Sequence, residues 1–432
     1  MYLEEVLMLF RFRTRNFRSI REAAELSLVA SNLSDLPEAV IQTPFAERGA
    51  LRAAAIYGPN ASGKSNLLLA MKFMSDAVEN SQRSWSPEGV PRERFLLDEE
   101  SANNPSLFEA DIAIDNVRYI YGFEVDSQRV VREWLHAYPS SRRRVLFERD
   151  GDDFTFGKHL GGENSTIRAL VRANSLFLSA AAQNNHEQLL PIYHWFSSAW
   201  SFVFGDRGDL RNTTARTASE DRYKKTISRL VAAADLGIEG FETRDEPVAD
   251  NVKRIHAKVL EAIPEDLRFE LPATFKNVAF VHRCANMDSI SLPLAAESEG
   301  TLAYFGLLGP VLMTLSSGRL LFIDEITMSL HPLLAMQIVR LFNSPVENPK
   351  GAQLLFTTHD TSLLDGQLLR RDQVWLTEKD EGGGTHLYPL TEFKPRRGEN
   401  IRTGYLQGRY GAVPLVELSA LSDEAHETSS RK

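Results

Sequence analysis

The sequence holds one cysteine, Cys284, in 432 residues. That excludes an intramolecular disulfide, and with no neighbouring Cys and His at ligand spacing it also excludes a zinc site built on that thiol. A reducing, cytoplasmic compartment is the expectation. Long hydrophobic runs are missing as well. The nearest approach, residues 302–315, is broken by Gly306, Gly309 and Pro310 and falls short of the ~18 apolar residues of a membrane span, so a buried helix is expected there and no membrane association. Nor does the start read as an export signal, because Glu4 and Glu5 stand where positive charge belongs. Basic charge is scarce: 49 Lys and Arg against 58 Asp and Glu leave a net charge of -9. Bulk, non-specific nucleic-acid binding is thereby excluded, although local basic patches remain open.

What is present is ordinary for a globular protein, with 43% hydrophobic and 25% charged residues. The length exceeds what one hydrophobic core usually supports, which predicts two subregions, one inserted in the other. Residues 9–16 partly alternate apolar and basic (Phe10, Arg11, Phe12, Arg13), as a half-exposed strand does, and residues 26–30 form a second strand candidate. A short apolar run at 51–57 enters a glycine loop that a helix leaves over 66–78, making a strand, loop, helix unit. After a break at 81–94, strand-like segments at 108–114, 117–125, 144–148 and 153–156 are separated by the turn signals Asp115-Asn116 and Asp150-Gly151-Asp152. They predict an antiparallel arm. Residues 166–259 read as helical, with Ile227, Leu230, Val231 and Ala234 on one face. The strand-like 275–282 is expected to return the chain to the main sheet, and 320–323 and 354–357 to be buried parallel strands. The expected fold is α/β, with a mixed sheet, an antiparallel β arm and an inserted helical subdomain. Its divisions are 1–160, the helical insertion 161–270, 271–395, and a C-terminal tail 396–432 whose last residues, 422–432, are polar and frayed.

Three motifs carry the chemistry. Gly58-Pro59-Asn60-Ala61-Ser62-Gly63-Lys64-Ser65 is a complete G-x-x-x-x-G-K-S between a strand and a helix, followed by Asn66. Its glycines let backbone N–H groups wrap phosphates without a Cβ in the way, and the helix N-terminus adds a favourable dipole. Lys64 is expected to reach the β and γ phosphates and Ser65 to offer its hydroxyl to Mg²⁺. Leu320-Leu321-Phe322-Ile323-Asp324-Glu325 is an apolar strand that delivers two carboxylates where ligands of open α/β sheets gather. Asp324 is the expected Mg²⁺ holder and Glu325 the general base for an attacking water. Leu354-Leu355-Phe356-Thr357-Thr358-His359-Asp360 is a second buried strand, ending in a histidine able to donate a hydrogen bond to the γ phosphate.

In this order the three motifs resemble the ABC-type ATPases, including the structural-maintenance, Rad-fifty and RecF-like branch. Glu297-Ser298-Glu299-Gly300-Thr301 looks like a variant of the signature segment of those families, with Glu299 where glycine is common. The resemblance implies that Ser298 and Gly300 contact the γ phosphate held by an opposite subunit, in an ATP-sandwiched homodimer or higher assembly. An acidic helix cap is the competing reading of that segment. Ser329-Leu330-His331-Pro332 resembles the D-loop of RecF-like and overcoming-lysogenization ATPases, and Asn16-Phe17-Arg18-Ser19 their N-terminal strand-end motif. Arg18 is thereby a nucleotide-binding candidate, and by position alone Gln183 is the candidate sensor of Mg²⁺ and the γ phosphate.

More closely, the chain resembles the RloA/AbiLi-type ATPases of bacterial defence loci, to which the AriA subunit of the PARIS anti-phage system is similar. The residues that carry this are Asn16-Phe17-Arg18-Ser19, Ala54-Ala55-Ile56-Tyr57, Glu133-Trp134-Leu135, Ser298-Glu299-Gly300-Thr301, Ser329-Leu330-His331-Pro332 and the run from Gly404 through Tyr405, Tyr410 and Gly411 to Pro414. It implies a regulatory ATPase that answers a phage-encoded trigger and controls a separate effector, often a TOPRIM-type nuclease. The stretch after His359 is too short for such a nuclease and lacks its acidic motif, so the nuclease is expected in trans. A RecF-like clamp that binds DNA directly is the alternative. Three weaker features stay open or bland. Asp150-Gly151-Asp152-Asp153 reads as a hairpin turn rather than a metal site, and Arg142-Arg143-Arg144 as a solvated turn rather than a nucleic-acid contact. The run 394–409 could grip bases or an effector, or dock on its own ATPase lobe.

Overall fold

The computed structural model describes residues 7–413 apart from 116, 141, 206–207, 235–236, 264–270, 272–273 and 286–287. These fall into two compact units. The first gathers the described residues within Met1–Phe202, Gly318–Ile326 and Val339–Lys432, and the second Val203–Ser317 with Thr327–Ile338. The fold is mixed α/β, consistent with a P-loop NTPase-like architecture.

In the first unit, seven antiparallel strands run in the spatial order Asp153–Phe156, Arg144–Asp150, Val130–Tyr138, Val117–Val125, Ser106–Ile114, Leu7–Arg15, Ala24–Ser27. The expected alternation holds on Leu7–Arg15, where Leu9, Phe10 and Phe12 are buried while Arg11 and Arg13 face solvent. The turn at 150–153 is a hairpin, with Asp150 opposite Asp153. Arg143 at the turn before that strand pairs with Glu148 at 2.6 Å.

Val130–Tyr138 is a strand that sequence patterning missed, because one of its inward positions is Glu133 rather than an apolar residue. The Glu133 carboxylate is wholly buried and accepts from Tyr121 Oη at 3.0 Å and from the backbone N–H groups of Phe177 (2.6 Å) and Leu178 (3.0 Å), with Arg149 Nη1 3.9 Å away. It thus satisfies two unpaired N–H donors at the start of the helix Phe177–Gln183. Burial pushes this carboxyl up, against Arg149 and those donors.

A six-stranded sheet holds Trp200–Val203, Leu320–Ile323, Gln353–Thr358, Ala53–Tyr57, Val374–Lys379 and Thr385–Pro389, in that order. As expected, Leu320–Ile323 and Gln353–Thr358 are parallel neighbours, and Gln353–Thr358 is also parallel to Ala53–Tyr57. All three are buried throughout, the pattern of strands covered on both faces. Their register sets Tyr57 opposite Thr358 and Ile323 opposite Phe356, which lines up three C-terminal ends. The buried amide of Gln353 stitches the two sheets together through Leu9 N, Leu9 O and Leu51 O.

The second unit contains the helices Gly208–Thr217, Asp221–Ala234, Asp250–Ala262 and Glu299–Ser317, and a three-stranded antiparallel sheet in the order Ile238–Pro247, Thr274–His282, Ile290–Pro293. Here the structure corrects the sequence reading. Residues 275–282 do form a strand, but it pairs with Ile238–Pro247 and Ile290–Pro293 instead of rejoining the main sheet. Its partner was hidden inside the stretch read as helical, because Ile238–Pro247 is rich in charge and lacks an apolar run. The helices Phe177–Gln183 and Leu190–Ser198, within the same stretch, belong to the first unit. The expected apolar helix is Glu299–Ser317. By length and composition it could cross a membrane, and 67% of its apolar window is buried in protein. Pro310 lacks the N–H that would bond to Gly306 O, and the Thr214 hydroxyl supplies the missing donor at 2.7 Å. Asn116, residues 264–270 of the expected insertion, Pro414 and the expected frayed end lie outside the described residues.

Candidate functional site

The strand Ala53–Tyr57 runs into the loop 58–63, and the helix Lys64–Asn80 leaves it. Gly63 caps that helix at φ 102°, a backbone state closed to most side chains, while Asn60 and Ala61 sit exposed at the loop tip. Pro59 O accepts from Ser62 N and so closes the turn. The loop rests on the hairpin formed by Val374–Lys379 and Thr385–Pro389. Ser62 Oγ and Thr377 Oγ1 are 2.7 Å apart, Thr385 Oγ1 donates to Ser62 O, and Asn66 Nδ2 donates to Ser19 Oγ.

Lys64 is 6% exposed, and its ammonium donates to Gly58 O (2.8 Å) and Pro59 O (3.0 Å). Burial lowers its pKa, and the nearby Glu325 and Asp324 carboxylates oppose that shift. Ser65 Oγ donates to Asp324 Oδ1 at 2.8 Å, and Thr357 Oγ1 donates to the same oxygen at 2.6 Å. Thr357 also accepts from Glu325 N at 2.7 Å. Glu325 adopts φ 52°, uncommon for a residue with a side chain. Its Oε1 lies 2.9 Å from His359 Nδ1. Loop, acidic pair and histidine therefore converge in one unit.

Among the described residues no group of three or more His, Cys, Asp and Glu could cage a metal ion. Mg²⁺ does not ask for one. It binds one or two protein oxygens and completes its octahedron with water and phosphate, and Ser65 Oγ and Asp324 Oδ1 side by side suit that demand. A cavity of about 330 Å³ lies over the loop, lined by Ala61, Gly63, Lys64, Ser65, Asn66 and Lys379. A second, of about 690 Å³, shares Asn66 and Lys379 and is lined also by Arg18 and Ser19. Arg18, at φ 50°, is ion-paired to Glu93 at 2.7 Å on the wall of that second cavity.

A family model described as "AAA domain, putative AbiEii toxin, Type IV TA system" matches residues 53–365, from the strand before the loop to just past His359. The chain belongs to this family. No curated protein matches the sequence. Among solved structures the chain is similar to one titled "Crystal structure of the SmcHead bound to the C-winged helix domain of ScpA", with 13% identity and a TM-score of 0.41 over 89% of this chain and 98% of that one.

Other expected residues of this AAA-family chain lie elsewhere. Gln183 is exposed at the end of Phe177–Gln183. Ser179 of that helix accepts from Gln82 N, beyond the far end of the 17-residue helix Lys64–Asn80. At 1.5 Å per residue the intervening helix is ~25 Å long, so the structure does not bring Gln183 to the loop. Position in the sequence alone had suggested it. Ser298 and Gly300 lie in the second unit. Ser298 Oγ accepts from Thr301 N at 3.1 Å, a helix cap, and Glu299 Oε1 accepts from Ser329 Oγ at 2.9 Å. Ser298 thus caps the helix Glu299–Ser317, and Glu299 ties the signature-like segment to Ser329-Leu330-His331-Pro332.

The C-terminal run docks on its own unit. Tyr405 packs its ring against Tyr57 (centroids 6.1 Å apart) and donates its hydroxyl to Ala412 O at 2.6 Å. Burial, with Asp360, Tyr405 and Glu325 as further contributors, holds the Tyr57 phenol well above its usual range. Tyr388 Oη donates to Tyr410 O. Gly404 lies so close to the Tyr410 ring that a Cβ would meet Tyr410 Oη at 2.7 Å, which explains the glycine and aromatic pairing there. Thr357, Thr377 and Thr385 were not assigned roles from sequence. Each lies on a strand flanking the loop, and only pairing register could have pointed to them.

Proposed function

We propose that this chain binds ATP with Mg²⁺ at the loop 58–65 and hydrolyses it as an ABC-type ATPase. The convergence of Lys64, Ser65, Asp324, Glu325 and His359 from three adjacent parallel strands carries the reading. Backbone N–H groups of the loop and Lys64 hold the phosphates, while Ser65 and Asp324 hold the metal, which neutralises phosphate charge when bound. Glu325 takes the proton of the attacking water, and His359, with Nδ1 on Glu325, turns Nε2 toward the γ phosphate. Ser298 and Gly300 meet the γ phosphate of a second copy in an ATP-sandwiched dimer, so that assembly follows nucleotide state. Family membership favours a part in a bacterial toxin or anti-phage system. There the chain is the regulatory subunit, answering a phage-encoded trigger and controlling a separate effector, a TOPRIM-type nuclease or toxin.

The test uses the full chain. Phosphate release from ATP and Mg²⁺ is expected in the parent and abolished in Lys64→Ala, and light scattering is expected to report an ATP-dependent doubling of mass that Ser298→Arg prevents. Turnover that is indifferent to Lys64→Ala sinks the site. Turnover stimulated by duplex DNA, with salt-dependent binding, would favour the DNA-clamp reading over the regulatory one.

A further inference from the structure

A nucleoside triphosphate has two unlike halves, an anionic chain and a sugar with its base, joined through the α phosphate. The site has two compartments. The smaller cavity lies over Gly63, Lys64 and Ser65, and the larger opens beside Arg18 and Ser19; Asn66 and Lys379 line both. A ligand that fills both compartments meets those two side chains in each.

Lys379 comes from outside all three phosphate-binding motifs. It is the last residue of the strand Val374–Lys379 and pairs with Thr385 across the hairpin. That hairpin is bonded to the loop itself, through Thr377 to Ser62 Oγ and Thr385 to Ser62 O, and to the N-terminal segment through Thr385 N to Ser19 O. The turn after Lys379 is pinned as well, since Asp380 accepts from Gly384 N (2.7 Å) and from Arg21 Nη2 (2.8 Å). The root of Lys379 is thereby held rigidly against the loop. Its side chain is exposed, and among the described residues no carboxylate lies within ion-pair distance of its ammonium.

Resting on the nucleotide reading above, we infer that Lys379 is a second phosphate-binding lysine of the site, which grips the phosphate nearest the nucleoside from the side opposite the loop. Lys64 serves the far end of the phosphate chain and Lys379 the near end. Because the near phosphate is common to ATP and ADP, Lys379 sets affinity for both, and it does not distinguish the state before hydrolysis from the state after it.

Equilibrium titration of the full chain with fluorescent (mant) ATP and ADP tests this in the parent, Lys379→Ala, Lys379→Arg and Lys64→Ala. A charge-assisted hydrogen bond of ordinary strength corresponds to about a tenfold change in affinity. Lys379→Ala is expected to weaken ATP and ADP alike by about that factor, Lys379→Arg to keep most of the affinity, and the unfolding midpoint of the nucleotide-free protein to stay unchanged. Parent-like binding in Lys379→Ala, beside loss in Lys64→Ala, would overturn this inference and leave the nucleotide site standing. A lowered midpoint without nucleotide would assign Lys379 to the fold and overturn it too. A parent that binds neither nucleotide removes the nucleotide reading and this inference with it.

Discussion

Oε1 of Glu325 stands 2.9 Å from Nδ1 of His359, each residue carried just beyond the C-terminal end of one of two neighbouring parallel strands. Glu325 reaches that position through a left-handed backbone at φ 52°, held by the bond from its N–H to Thr357. Thr357 in turn holds Asp324, so one hydroxyl fixes the geometry of both carboxylates.

Glu325→Gln keeps the shape of this corner and removes its basicity. Turnover should fall at least ~100-fold, the usual contribution of a general base, while nucleotide affinity stays within a few-fold of the parent. Phosphate release measured beside binding separates the two, and parent-like turnover would remove Glu325 from the role of base.

Thr357→Val tests the hydroxyl that serves both acids. It is nearly isosteric but removes the hydroxyl that accepts from Glu325 N–H and donates to Asp324 Oδ1, a loss of ~1–3 kcal/mol. Lowered stability in denaturant titration together with impaired turnover is expected; Thr357→Ser should restore most of both.

On the proposed reading the ammonium of Lys64 is the form that holds phosphate, and burial lowers its pKa. As pH rises through that lowered value the proton is lost before it would be lost from an ordinary lysine, so nucleotide affinity should decline on the alkaline side. Lys64→Arg stays protonated and should lack that decline, whatever its affinity at neutral pH. Affinity measured against pH for both proteins decides it.

Removing the carboxylate of Glu133 leaves Tyr121 and two helix N–H groups without their acceptor and Arg149, held by backbone carbonyls, without its buried counter-charge. Glu133→Ala should cost ~3–5 kcal/mol, the range for breaking a buried charge pair. A midpoint in urea close to that of the parent would contradict this.

Gly404→Ala drives a methyl into the Tyr410 ring. The cost is ~1–3 kcal/mol of overpacking, and the docked run should loosen. Trypsin cutting at Arg402 and Arg409 should be faster than in the parent, with the rest of the chain protected as before.

Much of the site was legible before any coordinates. A glycine loop between strand and helix, an apolar strand ending in two acids and another ending in histidine are local patterns, readable wherever hydrophobic periodicity and end chemistry coincide. Reading failed where local pattern and tertiary environment disagree. Glu133 hid a strand because its charge is satisfied by groups distant in sequence. Ile238–Pro247 read as helix because a charged strand depends on its partner, Thr274–His282, for definition. Gln183 was assigned by position alone and lies on the helix whose Ser179 accepts from Gln82 N, just past the far end of the loop helix.

The residues themselves determined the glycine loop between strand and helix, the buried character of Leu320–Ile323 and Gln353–Thr358 and the buried fate of Glu299–Ser317, since each follows from patterns along a few neighbouring residues. Only the tertiary structure decided that Thr357 governs both carboxylates, that Lys379 borders both cavities and that the Gly404 run packs beneath the loop strand on Tyr57. Those relations join residues that are far apart in the chain, and no spacing rule encodes them. They exist because sheet register and hairpin docking bring the side chains together.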